Sequence, residues 1–351
     1  MTKSFAVLDF KGKEVYGIIA SWRGRSEYAI EGSAKAQAKG IKRGVVTDIG
    51  FASESVQEVM EKLRKKTGKK VYDLYFAVSS TSMEMLPAKG SILLSRYGRE
   101  ITRRDRDKCV QLGSIVRLPE SKEPLHVIVS GFEIDNERGI AEPVGLEGVR
   151  LGVEMNILLM DSSILRNIEK SIAFAGYSCR GKIFSGLANS HSLVPEKDRN
   201  DGVIFINQYE DIIELSVFFQ GKALSARVIP VKDLSSKAGD LNVSEENLSG
   251  LIDFVKEMDG WALAKKIIVT SESGISDETL EYLEKSVDKP VRSAPYIMKP
   301  FDELSVEDRM GYAGCIGVLE LLAAERKAEV PSDNPIRYAY KKIVTFLDRY
   351  F

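Results

Sequence analysis

The chain has 351 residues, 44% of them hydrophobic, with Lys+Arg 50 nearly cancelling Asp+Glu 51. That length exceeds one ordinary core and predicts two or more subdomains, while the balanced charge gives no global field for nucleic acid, which is not expected as a partner. Cys109, Cys179 and Cys315 lie far apart with no metal-ligand spacing, no early apolar run suggests a leader, and no stretch of about 18 apolar residues suggests a span. Reduced thiols, no zinc site and a place inside the cell are the expectations.

In chain order, Phe5 to Ile19 reads as strand, turn at Lys11-Gly12 and strand. Tyr28 to Gly32 continues it, a helix from Ser53 to Lys66 closes at Gly68, and a strand runs from Val71 to Val78. Ser79-Ser80-Thr81-Ser82 reads as a polar loop. An insertion follows, with strands at Gly90 to Leu94 and Leu125 to Phe132 around a helix capped by Thr102 with Asp105 three residues on. Gly148 to Met160 gives another strand and Asp161 to Gly176 a returning helix. Gly202 to Phe219 then repeats the opening strand-turn-strand form, so each half of the molecule begins alike. The second half continues through Ala223 to Pro230, a helix from Ser244 to Met258, a strand from Lys266 to Thr270, a helix from Ser276 to Lys285 with an acidic first turn, and a long helix from Ser305 to Arg326. Gly311, Gly314 and Gly317 fall at i, i+3 and i+6 there, a bare side suited to close packing.

Four segments carry a resemblance. GIKRGVVTDI at Gly40 to Ile49, LHVI at Leu125 to Ile128 with EPVGLEGVRLGVEMNIL at Glu142 to Leu158, DSSILRNIEKSIAFAGY from Asp161, and VIPV at Val228 to Val231 resemble the FtsA-like bacterial cell-division proteins of the actin-like ATPase superfamily. The resemblance implies an α/β, actin-like (ribonuclease H-like) fold in two halves with a small α+β insertion of the SHS2 type. It implies subdomain 1A at 1–81 and 161–200, inserted subdomain 1C at 82–160, and subdomain 2A at 201–327. Subdomain 2B, which needs on the order of 50 residues, is reduced to about 233–265, so the family's docking of the tubulin-like FtsZ is doubtful here.

The departures from that family bear on chemistry. Glycines let consecutive backbone N–H groups close around phosphate, and the family's phosphate loop DIGGGTTD is replaced here by NQYEDIIE, from Asn207 to Glu214. The first loop keeps Asp9 but continues Phe10-Lys11-Gly12-Lys13-Glu14, and the adenosine strand ends IIVTSESG with only Gly274 remaining. Two ordinary hairpins account for the first two places. No Ser/His/Asp order, Walker loop or dinucleotide fingerprint occurs, and His126 in an apolar strand pattern reads as structural. No catalytic residue, metal or cofactor is therefore expected. The alternative is a divergent ATPase binding ATP with Mg, using Asp9, Asn207 and Glu214 in the family's metal and water positions.

The resulting expectation is a scaffold without enzymatic activity that self-associates or holds divisome or pilus-type proteins. A type IV pilus assembly protein similar to PilM and a plain interaction domain are the other readings. Finally, Ile336, Tyr340, Ile343, Val344, Leu347 and Phe351 form one apolar stripe after a linker from 328, with Lys341 and Lys342 beside it. It suits either an anionic inner-membrane surface or packing on the protein.

Overall fold

The computed structural model describes residues 4–209, 212–231, 245–271, 274–294 and 310–328. The chain divides into two units, one of 1–83 with 161–330 and one built on 84–160. The first unit opens with β1 (Ser4–Lys11), β2 (Glu14–Arg23) and β3 (Glu27–Gln37), paired antiparallel in sequence order. Lys11 pairs with Glu14, so the two-residue turn is Gly12-Lys13, one position beyond the expected Lys11-Gly12. Gly12 has φ 56°, as primed hairpin turns require.

The GIKRGVV motif is a miniature hairpin of β4 (Ile41–Lys42) and β5 (Val45–Val46). Arg43 and Gly44 both have positive φ, and a methyl at Gly44 would overlap the Ser79 carbonyl, so only glycine fits. Helix α1 (Ile49–Thr67) starts four residues before the predicted Ser53, because Asp48 caps it through the Phe51 N–H at 2.9 Å. Gly68 ends it in the left-handed conformation. β6 (Asp73–Val78) then pairs parallel with β1.

The second unit contains β7 (Glu84–Leu93), β8 (Arg99–Glu100), α2 (Arg103–Gly113), β9 (Lys122–Ile134), β10 (Glu137–Ile140), β11 (Glu147–Gly148) and β12 (Arg150–Asp161). Its four-stranded sheet runs β10-β9-β12-β7, and α2 covers it over a core that includes Cys109, Val110, Val127 and Met155. The Thr102–Asp105 capping box forms, and Arg99 holds Asp105 through two bonds of 2.7 Å. That arginine, with Thr102 behind it, pulls the Asp105 carboxyl far below its usual range. Asp135 accepts from the Val149 and Arg150 N–H groups at the start of β12.

Returning to the first unit, α3 (Ser162–Phe174) leads to β13 (Ser178–Phe184), which completes a sheet of order β13-β6-β1-β2-β3. After α4 (Ser185–Leu193) and α5 (Glu196–Asp201), the second sheet is built from β14 (Val203–Tyr209), β15 (Ile212–Phe219), β16 (Lys222–Pro230), β17 (Lys266–Ser271) and β18 (Val291–Ser293). Its order, β16-β15-β14-β17-β18, repeats that of the first sheet, with a hairpin, a third antiparallel strand and two parallel neighbours. The duplication expected from the sequence is thus a duplication of topology. Helices α6 (Glu245–Lys256) and α7 (Asp277–Val287) cover this sheet, with Leu248, Leu251, Ile252, Val255 and Leu283 in its core.

The last described helix, α8 (Ala313–Ala328), packs on α4 and on β1, β2 and β6. Its partners therefore belong to the first sheet, although the sequence reading grouped it with the second half. The glycines explain the approach, since a methyl at Gly311 would overlap the Tyr16 ring and one at Gly317 the Ala188 carbonyl. The tail stripe from Ile336 to Phe351, with Lys341 and Lys342, lies outside the described residues, as do 232–244.

Candidate functional site

Two hairpins and one helix bring a polar cluster into the interior of the first unit. Asp9, near the end of β1, is fully buried and accepts from the Ser185 hydroxyl at 3.4 Å. Glu214, on β15, faces Asn207 across the second hairpin and is equally buried. Asn207 donates from Nδ2 to its Oε2 at 2.8 Å, and Asn189 of α4 donates to the same oxygen at 3.1 Å. The Tyr209 hydroxyl donates to Oε1 at 3.0 Å. One buried carboxylate thus receives three donors, which is how a protein can hold such a group away from water.

Tyr209 is the last residue of β14, where the resemblance implies a glycine-rich phosphate loop. Its ring is buried, with Ser79, Glu214 and Asp9 around the phenol. Burial first, then the nearby carboxylates of Glu214 and Asp9, push its ionisation well above the ordinary phenol range. The phenol is therefore a permanent neutral donor at physiological pH. Gly314 of α8 lies directly against Asp9, where even a methyl would overlap the carboxylate.

Asp9, Asn207 and Glu214, singled out from the sequence, do come together, linked through Asn189, Ser185 and Tyr209. Gly274 does not join them; it is exposed at φ 82°, in a turn whose N–H bonds the Ser271 carbonyl at 3.2 Å. Asn189 and Ser185 escaped the sequence reading because α4 is buried on nearly every side and shows no face. A second buried cluster escaped it too. Asp198 pairs with Lys266 at 2.7 Å and with Arg292, tying α5 to β17 and β18. Arg199 donates to the Ser190, His191 and Val194 carbonyls at the C-terminal end of α4, where a cation complements the helix dipole. Burial and then Arg199 keep the His191 imidazole neutral well below its ordinary pKa.

Among the described residues no three His, Cys, Asp or Glu side chains form a group that could hold a metal ion. The central cluster presents two carboxylates and a phenol where a phosphate binder presents backbone N–H groups.

The repeated sheets with an inserted α+β unit define an actin-like ATPase fold. The structure titled PilM-PilN type IV pilus biogenesis complex aligns over 93% of this chain and 99% of that chain, at a TM-score of 0.59 and 10% identity. More particularly, the chain resembles FtsA, for residues 81–159 match the family model described as the SHS2 domain inserted in FTSA. It is 22% identical over 229 residues to the cell division protein FtsA of Pseudomonas aeruginosa, covering 65% of this chain and 54% of that protein. To FtsA of Escherichia coli K12 it is 27% identical over 201 residues, 57% of this chain and 47% of that protein. The chain spans about half the length of the curated relatives it matches. Among the described residues no helix is long and apolar enough to cross a membrane.

Proposed function

We propose that this chain is an actin-fold scaffold of bacterial cell division, or of a related membrane-associated assembly, that works without nucleotide. The observation carrying this reading is Tyr209, buried at the end of β14 and hydrogen-bonded to Glu214. A phosphate entering beside it would meet a bulky ring and the acceptors Asp9 and Glu214 instead of a ring of donors, and like charges repel in a buried site. The residues present do not fit ATP with Mg on this reasoning, and the chain acts by holding itself or its partners together. Divisome-type partners are the first expectation from the FtsA likeness, with FtsZ doubtful because little chain is available for a subdomain 2B.

The near-complete overlap with the protein in the PilM-PilN complex favours a second reading, an adaptor for a pilus-type inner-membrane assembly. In either case the protein works on the cytoplasmic side, and the stripe from Ile336 to Phe351 supplies a membrane contact. Sedimentation of the purified chain with and without Mg-ATP tests the mode of action. Assembly independent of ATP is expected; assembly that appears only with ATP would sink the reading.

A further inference from the structure

We propose that one end of the first unit, formed by the C-terminus of α1, the start of β6 and the C-terminus of α3, is a contact surface for an anionic lipid bilayer. The stretch Lys62 to Tyr72, KLRKKTGKKVY, concentrates basic residues, and Arg64, Lys65, Lys66 and Lys70 are exposed. Lys69 pairs with Glu31 at 2.6 Å, and Lys66 donates to the Ser33 carbonyl at 3.3 Å. Arg64, Lys65 and Lys70 engage in no ion pair or side-chain hydrogen bond among the described residues, so their charges are available.

Two aromatic rings stand out beside them, Tyr72 at 64% exposure and Phe174 at 71%. Their chain segments meet, because the Ser178 N–H, four residues after Phe174, bonds the Tyr72 carbonyl at 2.8 Å and α3 packs on α1. Tyr177, three residues after Phe174, senses the charges of Arg64 and Glu61 and the phenol of Tyr72. On α3 itself Arg166, Lys170 and Phe174 recur at i, i+4 and i+8, one exposed stripe. The acids of the region are mostly neutralised locally. Asp73 pairs with Arg180 at 2.7 Å, Glu169 with Lys182 at 3.2 Å and Glu58 with Lys62 at 2.8 Å, leaving Glu61 as the exposed exception.

Exposed rings of this size are costly on a surface that meets only water, whereas at a bilayer the rings reach the headgroup boundary and the cations meet lipid phosphate. Charge complementarity selects an anionic surface. The contact is separate from the stripe at 336–351, so the two can be told apart.

The test is vesicle sedimentation of the full chain, using phosphatidylglycerol–phosphatidylcholine vesicles against phosphatidylcholine alone. Combined Arg64→Glu, Lys65→Glu and Lys70→Glu should weaken binding to the anionic vesicles about tenfold or more, and Tyr72→Ser with Phe174→Ser should weaken it too. A tail variant, Ile343→Glu with Leu347→Glu, should be weakened further by the same charge reversal. If the charge-reversed chain fails to fold, glutamines at the three positions carry the test. Binding of the patch variants within about twofold of the original chain, or no preference of the original chain for anionic vesicles, overturns the proposal. A tail variant that binds like the original chain removes only the tail from the membrane.

Discussion

Replacing Tyr209 by Phe removes one oxygen and leaves the ring in place. The lost bond is the 3.0 Å donation to Glu214 Oε1, deep in the unit where water does not compensate. A bond to a carboxylate contributes about 1.5–3 kcal/mol, which for a unit of this size corresponds to a drop in melting temperature of about 3–10 °C. Alkaline pH adds a signature. Burial, Glu214 and then Asp9 raise the folded-state ionisation of Tyr209 well above its ordinary value of 10.0. Below that pH both folded and unfolded chains keep the proton and the stabilisation is complete. Above it the unfolded chain binds fewer protons than the folded one, so stability falls, by up to about 1.4 kcal/mol per pH unit. Tyr28 and Tyr177 shift the same way, so the difference between the original chain and Tyr209→Phe isolates Tyr209. Urea unfolding at neutral pH and at several pH values above 10 reads both effects. Equal midpoints at neutral pH together with equal alkaline slopes would refute the placement of the phenol against Glu214.

Other perturbations reach different elements. Gly314→Ala sets a methyl against the Asp9 carboxylate and should cost about 1–3 kcal/mol or more by overpacking, whereas Ala324→Gly, at a partly exposed position of the same helix, should cost only about 1 kcal/mol; denaturant midpoints that rank them the other way would count against the α8 packing. Thr102→Ala removes the capping box of α2 at a cost of about 1 kcal/mol, and hydrogen exchange at the Asp105 amide should speed up while exchange in the first sheet stays unchanged. Asp198→Asn breaks the pairing with Lys266 and Arg292; because Arg292 is half-exposed, a loss of about 1–3 kcal/mol is expected in urea, and no loss would mean that the pair is incidental.

Much of the fold was legible because its strands alternate and its turns carry glycine. Both opening hairpins, the Thr102 cap and the Gly68 stop followed from local chemistry alone. β7 was read too short, beginning at Gly90 instead of Glu84, because Pro87 and Lys89 look like loop; on an edge strand both are tolerated, and β7 is the edge of its sheet. The helix glycines announced close packing but could not say against which sheet, since bare backbone carries no address. In the central cluster, the missing glycines and the surviving Asp9, Asn207 and Glu214 were visible in the sequence. Asn189 and Ser185 were not, because the all-round burial of α4 erases the periodicity that would mark a face.

The central claim, that Tyr209 and its carboxylate neighbours leave no place for a nucleotide, is tested most directly by titrating the purified chain with Mg-ATP in a calorimeter. No heat of binding up to millimolar nucleotide is expected, together with a melting temperature that ATP leaves unchanged, since a ligand stabilises only by binding the folded state. A micromolar dissociation constant would contradict the account.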